Sequence, residues 1–174
     1  MRAYFSRRYG LSASHRLHSD AFTEEENREV FGKCNNPQGH GHNYVVEITV
    51  AGQVDPVTGM VCDMVALDAC VRREVIDRFD YTNLNLYKGF SELVSSRGPT
   101  TAEDNLVPTT EIFCIAVYEL LHRALKGAEL IGVRIEETQN NSFEYSGDST
   151  NLVPGFPQQQ STATPHREEA PAWQ

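Results

Sequence analysis

The sequence predicts an α+β domain in which an antiparallel sheet carries two helices on one face. Two observations predict it. Stretches in which apolar and polar residues alternate occur towards both ends of the chain, and two longer stretches with helical spacing lie between them. The chain has 174 residues and no internal repeat, which is enough for a single domain with a substantial hydrophobic core.

Two strands are predicted in the first third of the chain, over Tyr9–Leu17 and Asn43–Val50. Residues two apart on a strand lie on the same face. Alternation therefore predicts one apolar face on each strand, formed in the first by Tyr9, Leu11, Ala13, His15 and Leu17 and in the second by Tyr44, Val46, Ile48 and Val50.

Two helices follow. Over Met64–Phe79 four apolar residues are spaced four apart, which predicts a buried helical stripe. Over Thr110–Lys126 a second stripe begins after Pro108 and ends before Gly127, residue types typical of a helix start and a helix end. The predicted stripes are Leu67, Val71, Val75 and Phe79 in the first helix, and Phe113, Val117, Leu120, Leu121 and Leu125 in the second.

The rest of the chain predicts two more strands and two irregular segments. Leu130–Glu137 returns to a period of two, and Ser142–Tyr145 predicts a last short strand. His18–Lys33 and Leu86–Pro108 match no regular element. The second is long for a loop within a compact domain, so it is either functional or loosely ordered.

The composition changes near the end of the chain. Residues 153–174 contain four of the eight prolines and a run of three glutamines. Such a segment buries too little apolar surface to offset its ordering entropy, so we expect a disordered tail after a single domain over residues 1–152.

Charge and composition exclude several classes of protein. The net charge is -9 and the isoelectric point is near 5.1, which argues against a general nucleic-acid binder or a binder of anionic membranes. No apolar run is long enough to span a membrane, and Met1–Gly10 has no apolar signal core. The four cysteines show no CxxC spacing. Free thiols in the cytoplasm are the simplest interpretation.

Three histidines have the spacing of a metal site. His40 and His42 enter the second strand on its apolar face, and His15 lies on the apolar face of the first. Three imidazoles on inner faces of strands that can pair predict a His₃ site with a fourth position open. Zinc is favoured because no carboxylate or thiolate completes the set. The alternative is that each histidine is an ordinary core or edge residue.

Cys34 and Glu137 are further candidates. Cys34 lies in the polar, turn-forming stretch 32–37, beside Lys33, which suits a general base or nucleophile. Glu137 shares parity with Ile131, Val133 and Ile135, and a carboxylate on a buried face needs a partner. A heterocycle with two parallel N–H donors would match it bidentately. Glu136, one residue earlier, is expected to be a surface charge.

Five segments carry motifs, in the order Leu11–Leu17 (LSASHRL), Gly32–Tyr44 (GKCNNPQGHGHNY), Asp55–Val61 (DPVTGMV), Pro108–Glu111 (PTTE) and Glu137–Asn141 (ETQNN). In order and spacing they resemble the 6-pyruvoyltetrahydropterin synthase family over residues 3–150. The Gly-Lys-Cys-Asn-Asn-Pro form resembles the pyruvoyl enzymes more than the related 6-carboxytetrahydropterin synthases, whose cysteine loop is shorter.

The resemblance implies the tunnelling fold, a four-stranded sheet with two helices that assembles into trimeric barrels stacked as a homohexamer. It implies a phosphate-eliminating carbon–oxygen lyase that converts 7,8-dihydroneopterin triphosphate to 6-pyruvoyltetrahydropterin for tetrahydrobiopterin-type biosynthesis, without an external redox cofactor. It also implies the site residues, namely His15, His40 and His42 as ligands of Zn²⁺, Glu137 with Thr109 and Thr110 nearby for the pterin, and Cys34 as the base.

The second proton transfer is where the sequence departs from the family. The family uses an Asp–His pair, and here Asp80 is followed by Tyr81. On spacing alone Asp80 is a turn or capping residue at a helix end. A phenol relays protons less readily than imidazole near neutral pH. The departure leaves three hypotheses: Tyr81 substitutes at a lower rate, another group replaces it, or the product differs.

These hypotheses leave alternatives to the pyruvoyl activity. One is a 6-carboxytetrahydropterin synthase or another side-chain lyase that acts on the same substrate. The other, motivated by Tyr81, is a catalytically impaired homologue that binds pterin and zinc.

Overall fold

The computed structural model describes residues 1–95 and 106–147. The tail over 153–174, predicted to be disordered, lies outside the described residues, as does the middle of the 86–108 segment.

The centre of the fold is one mixed sheet with the strand order β3-β1-β2-β4-β5. β1 pairs antiparallel with β2, β2 with β4, and β4 with β5. The prediction of four antiparallel strands is one strand short, because the two-residue β3 adds a parallel edge beside β1. The strands are β1 Arg2–His15, β2 His40–Gln53, β3 Thr82–Asn83, β4 Glu129–Glu136 and β5 Ser142–Tyr145.

The helices are more numerous than the two predicted. The stretch from Met64 to Phe79 is helical throughout, but a π-helical turn over Arg72–Ile76 divides it into α2 and α3. A short helix lies within the segment that was predicted to be irregular after residue 86. The helices are α1 Glu24–Phe31, α2 Met64–Val71, α3 Asp77–Phe79, α4 Phe90–Ser95 and α5 Thr110–Ala124.

Helix α1 corrects the prediction of an irregular segment over His18–Lys33. Thr23 accepts a hydrogen bond from the backbone N–H of Glu26, and the Glu26 side chain accepts one from the backbone of Thr23. This capping box satisfies two N–H groups at the helix start. The acidic run Glu24–Glu26 also lies at the positive end of the helix dipole. The run marks a helix N-terminus that the alternation and spacing patterns did not detect.

The hydrophobic core lies between one face of the sheet and the helices α2, α3 and α5. The predicted stripe of Leu67, Val71, Val75 and Phe79 is buried in full, which confirms its spacing. In α5 the residues Phe113, Val117 and Leu121 are fully buried, and Leu120 and Leu125 pack at the edge. None of the helices in the described ranges is long and apolar enough to cross a bilayer.

Strand β4 departs from strict alternation at one residue. Thr49 pairs with Gly132 and Val50 with Leu130, so Ile131 is an extra residue in the β2–β4 ladder. This bulge brings Leu130 to the buried face and leaves Ile131 half-exposed. Beyond the bulge Val133 and Ile135 are fully buried, so the parity that places Glu137 on the inner side holds over the second half of the strand.

Candidate metal centre

His15, His40 and His42 converge at one end of the inner face of the sheet. Each offers one nitrogen, and these three atoms lie within 4.8 Å of one another. The ring centroids are 4.6 to 5.2 Å apart, and Nε2 of His15 is 3.1 Å from Nε2 of His40. Three imidazole nitrogens at this separation can surround one divalent cation.

The register of β1 and β2 explains the cluster. His15 is the direct partner of His40, and Ala13 is the partner of His42, so all three rings project from adjacent positions on one face. The turn that leads into β2 passes close to β1. Gly39 has a φ of +69°, and a Cβ there would lie 3.0 Å from the carbonyl oxygen of His15. Only glycine fits that turn without strain.

Hydrogen bonding at the rings fits a metal-binding role. Nδ1 of His15 lies 2.8 Å from the carbonyl oxygen of Pro108, which orients the ring and leaves Nε2 free, as is usual for metal-binding histidines. Within the described part of the chain, Nδ1 of His40 and Nε2 of His42 are buried and have no hydrogen-bond partner. Buried polar atoms without partners are costly. A bound cation would satisfy the nitrogen that faces it.

Burial also keeps two of these rings neutral. It lowers the pKa of His15 below the ordinary imidazole value, and the charges of His40 and His42 lower it further. The pKa of His40 is lowered by burial and by the charge of His42. Metals bind the neutral imidazole. Three imidazole nitrogen donors therefore fit Zn²⁺, which leaves the fourth position of a tetrahedral site to an exogenous ligand.

Glu137 lies beside the cluster, immediately after β4. Its Oε1 is 3.7 Å from Nε2 of His15 and 3.7 Å from Nε2 of His42. The Thr110 hydroxyl donates a hydrogen bond of 2.5 Å to the same oxygen. Thr109 is positioned differently, since its hydroxyl caps the start of α5 by accepting from the N–H of Ile112. Of the two threonines implied by the resemblance, Thr110 contacts the carboxylate.

Tyr44 is a polar residue of this site that the sequence patterns assigned only to the core. Its ring lies 5.4 Å from that of His42, the residue is 1% exposed, and its hydroxyl has no hydrogen-bond partner among the described residues. Burial raises its pKa, and the charge of Glu137 raises it further. The sequence feature that could have identified Tyr44 as a site residue is its position two residues after His42, on the same face of the strand.

Cys34 lies in the 3₁₀ turn Gly32–Asn35 and is half-buried. Its carbonyl oxygen accepts a hydrogen bond of 2.9 Å from the N–H of Leu17, which ties this turn to the residues that follow His15. A negative charge on Cys34 would be a further, smaller cause of the raised pKa of Tyr44. The turn therefore borders the same site. Cys70 and Cys114 are buried in the core, whereas Cys62 is half-buried.

Asp80 and Tyr81 lie beside β1, immediately before the edge strand β3. Asp80 accepts a hydrogen bond of 2.8 Å from the N–H of Ser12, and the N–H of Tyr81 donates one of 2.6 Å to the Ser12 carbonyl. The Tyr81 side chain is 88% exposed and borders an open groove of about 480 Å³ that is also lined by His42 and Asn43. Among the described residues, no hydrogen bond or ring contact joins Asp80 or Tyr81 to the histidines.

Two other histidines and one carboxylate take no part in the cluster. His122 is exposed on α5 and stacks on Tyr118, and His18 lies 3.0 Å from Oδ1 of Asn35. Glu136 points away from Glu137 and forms an ion pair with Arg8 on the outer face of the sheet.

Comparisons with known proteins all point to one family. A family described as 6-pyruvoyl tetrahydropterin synthase matches residues 4–148. The 6-pyruvoyl tetrahydrobiopterin synthase of Poecilia reticulata is 40% identical over 146 residues, which cover 83% of this chain and 90% of the relative. The human enzyme of that name is 39% identical over 147 residues, covering 84% and 92%. The solved 6-pyruvoyl tetrahydropterin synthase of Caenorhabditis elegans superposes with a TM-score of 0.72 at 38% identity, covering 84% of this chain and 96% of that chain.

Proposed function

The chain belongs to the 6-pyruvoyl tetrahydropterin synthase family, and on that premise we propose that it is a zinc-dependent lyase that converts 7,8-dihydroneopterin triphosphate to 6-pyruvoyltetrahydropterin with release of triphosphate. The observation that carries the proposal is the convergence of His15, His40 and His42 beside Glu137. The relatives that are 40% and 39% identical are named as pyruvoyl enzymes, whereas a relative from Archaeoglobus fulgidus that is 33% identical over 105 residues is named as a putative 6-carboxy enzyme.

The three histidines would hold the zinc ion. When bound, it would supply Lewis-acid polarisation of oxygen ligands and a template for the substrate side chain. The protein contributes the neutral state of the rings, because burial lowers the pKa of His15 and His40, and the fixed orientation of His15 through the Pro108 carbonyl.

Glu137 would hold the pterin ring. Its carboxylate is largely buried, and a single hydroxyl, that of Thr110, orients Oε1. A pterin presents adjacent N–H donors that can bind a carboxylate bidentately, a strong and directional interaction. Tyr44 closes the apolar side of this region, so a ring bound here would be shielded from water on that side.

Cys34 would remove a proton from the substrate side chain. This role is supported by the hydrogen bond that ties its turn to Leu17, two residues after His15. The ring of the substrate is reduced as the side-chain hydroxyls are oxidised, so no external oxidant or reductant is needed. The chain's own task is to accept and return protons at defined positions.

Asp80 and Tyr81 would serve the second proton transfer. Tyr81 is exposed and lines the groove that also reaches His42, so a neighbouring subunit that covers this groove would enclose the two groups. The proposed homohexamer, a dimer of trimers built from a domain over residues 1–152, would provide such a neighbour.

The decisive experiment is a product assay. The purified protein is incubated with 7,8-dihydroneopterin triphosphate, with and without a chelator, and the products are identified by mass. Release of triphosphate with a product of the mass of 6-pyruvoyltetrahydropterin, abolished by the chelator and restored by zinc, is the expected result. A 6-carboxy product or another side-chain product would support the alternative lyase activity instead.

A matched pair of variants tests the site. Glu137→Gln should abolish substrate binding, whereas Glu136→Gln, one residue away on the outer face, should leave it intact. Binding of substrate without any release of triphosphate would indicate the impaired, pterin-binding homologue that the presence of Tyr81 suggests.

A further inference from the structure

A cationic pocket of about 330 Å³ is formed by segments that adjoin His15 and Cys34 along the chain. Three of its lining side chains are cationic and one is acidic, so its local charge is positive although the whole chain carries -9. We define this cationic pocket by the residues that line it, Arg16, Glu24, Arg28, Lys33, Asn35 and Asn36, with Gly32 and Pro37 at its edge.

The cations of this pocket are not neutralised by the protein. Most other arginines of the described residues form ion pairs, for example Arg7 with Asp68 and Arg8 with Glu136. Within the described ranges, Arg28 and Lys33 form neither an ion pair nor a side-chain hydrogen bond. Positive charges that lack a partner at the wall of a pocket attract and concentrate anions.

Arg16 is held in place without losing its charge. Its Nε donates to both the backbone and the side-chain oxygen of Asn35, each at 3.1 Å, and Asn35 is 5% exposed. These neutral acceptors fix the guanidinium at the pocket wall and leave its remaining N–H groups for an anion. An arginine fixed in this way suits the recognition of phosphate oxygens.

The pocket adjoins the candidate site through two pairs of consecutive residues. Arg16 follows His15, and Lys33 precedes Cys34. The Cα atom of each pocket residue is therefore about 3.8 Å from that of a site residue. The hydrogen bond from the N–H of Leu17 to the carbonyl of Cys34 joins the two walls.

We propose that the cationic pocket binds the oligophosphate group of the substrate. This inference rests on the function proposed above for its link to the reaction. The pocket supplies three cations from separate segments, namely the end of β1, helix α1 and the 3₁₀ turn, which suits an extended anion with several charged oxygens. Helix α1, which the alternation pattern did not reveal, thereby acquires a role, because it presents Arg28.

The binding test uses inorganic tripolyphosphate and isothermal titration calorimetry. Arg28→Gln and Lys33→Gln should each weaken binding roughly three- to tenfold, and added salt should reduce the difference. Glu24→Gln removes the one acidic group of the pocket and should tighten binding. Arg72→Gln, which makes the same change in net charge at an exposed arginine paired with Asp77, should bind like the wild type and controls for any metal chelation by the probe.

A kinetic test links the pocket to the reaction. Arg28→Gln should raise KM for 7,8-dihydroneopterin triphosphate with little change in kcat, and it should leave the binding of 7,8-dihydroneopterin, which has no phosphates, unchanged. Tripolyphosphate should inhibit competitively, and more weakly in the variant.

The outcomes separate the two proposals. If the wild type releases no triphosphate but tripolyphosphate binding responds to Arg28, Lys33 and Glu24 as described, the proposed function fails and the anion site stands. If the wild type is active and the three variants bind tripolyphosphate like Arg72→Gln, the pocket is not a phosphate site. Equal loss of affinity for both pterins in Arg28→Gln would also overturn the assignment.

Discussion

The hydroxyl of Thr110 donates a 2.5 Å hydrogen bond to Oε1 of Glu137. That oxygen lies 3.7 Å from Nε2 of both His15 and His42. One carboxylate oxygen thus joins the N-terminus of α5 to the histidine cluster, which leaves Oε2 to meet a ligand.

Removing this hydroxyl should weaken substrate binding. In Thr110→Val the carboxylate loses its donor at nearly constant side-chain volume, and hydrogen bonds to charged groups contribute about 1.5–3 kcal/mol. We expect KM for the pterin substrate to rise about tenfold or more, as measured by initial rates. Thr110→Ser keeps the donor and should remain close to wild type. Equal KM values for the valine variant and the wild type would contradict the positioning role of Thr110.

The histidine cluster should bind one zinc ion per chain. His42→Gln removes one of three nitrogen donors, and because the His42 side chain is 17% exposed the change leaves the deep core intact. We expect metal content, measured by mass spectrometry after dialysis, to fall far below that of the wild type. His122→Gln, on the exposed surface of α5, is the control. Full zinc content in the His42 variant would rule out the proposed ligand set.

Replacing Tyr81 by histidine should raise turnover severalfold near neutral pH. An imidazole titrates near pH 6.5, whereas a phenol titrates near pH 10, so the histidine relays a proton more readily. The backbone at Tyr81 has a φ of +56°, a conformation that histidine tolerates better than most residues. The measurement is kcat of Tyr81→His, with Tyr81→Phe as the variant that cannot relay a proton. Unchanged or lower turnover in the histidine variant would show that Tyr81 is not a slower substitute.

The cysteines should differ in reactivity. Burial raises the pKa of Cys114 to about 12, and the charge of Glu144 adds to the shift, so little thiolate forms at pH 8. Its side chain is also 1% exposed, whereas Cys34 is only half-buried. Brief treatment of the native protein with iodoacetamide, followed by peptide mass spectrometry, should label Cys34 well before Cys114. Labelling of Cys114 at the rate of Cys34 would mean that this part of the core opens readily.

Phe79 should be a major source of stability. It is fully buried, and its ring lies 5.0 Å from those of Tyr87 and Phe113. Phe79→Ala should lower the free energy of unfolding by about 3–5 kcal/mol in denaturant titrations. Leu86→Ala, at a side chain that is 75% exposed, should change it by less than about 0.5 kcal/mol. A similar small loss in both variants would show that the aromatic cluster is not a stability centre.

The periodicity of apolar residues along the chain was sufficient to predict most of the helices and strands. A period of two placed His15, His40 and His42 on inner faces, and spacings of four identified the buried stripe that ends at Phe79. Local patterns did not identify the bulge at Ile131 or the π-helical turn after Val71, because each is a local irregularity in an otherwise regular element. The capping box at Thr23 and Glu26 could have predicted helix α1 from the sequence. The helix was missed because it is rich in acidic residues and has no regular spacing of apolar ones.

The sequence by itself determined which residue types face inward and hence which side chains could form a metal site. Only the tertiary structure decided which of them meet. The strand register pairs His15 with His40 across 25 residues, the start of α5 brings Thr110 rather than Thr109 to Glu137, and Arg28 joins Lys33 at one pocket. The physical reason is that periodicity reports the face of a residue, whereas distances between segments depend on strand register and packing, which no local pattern encodes.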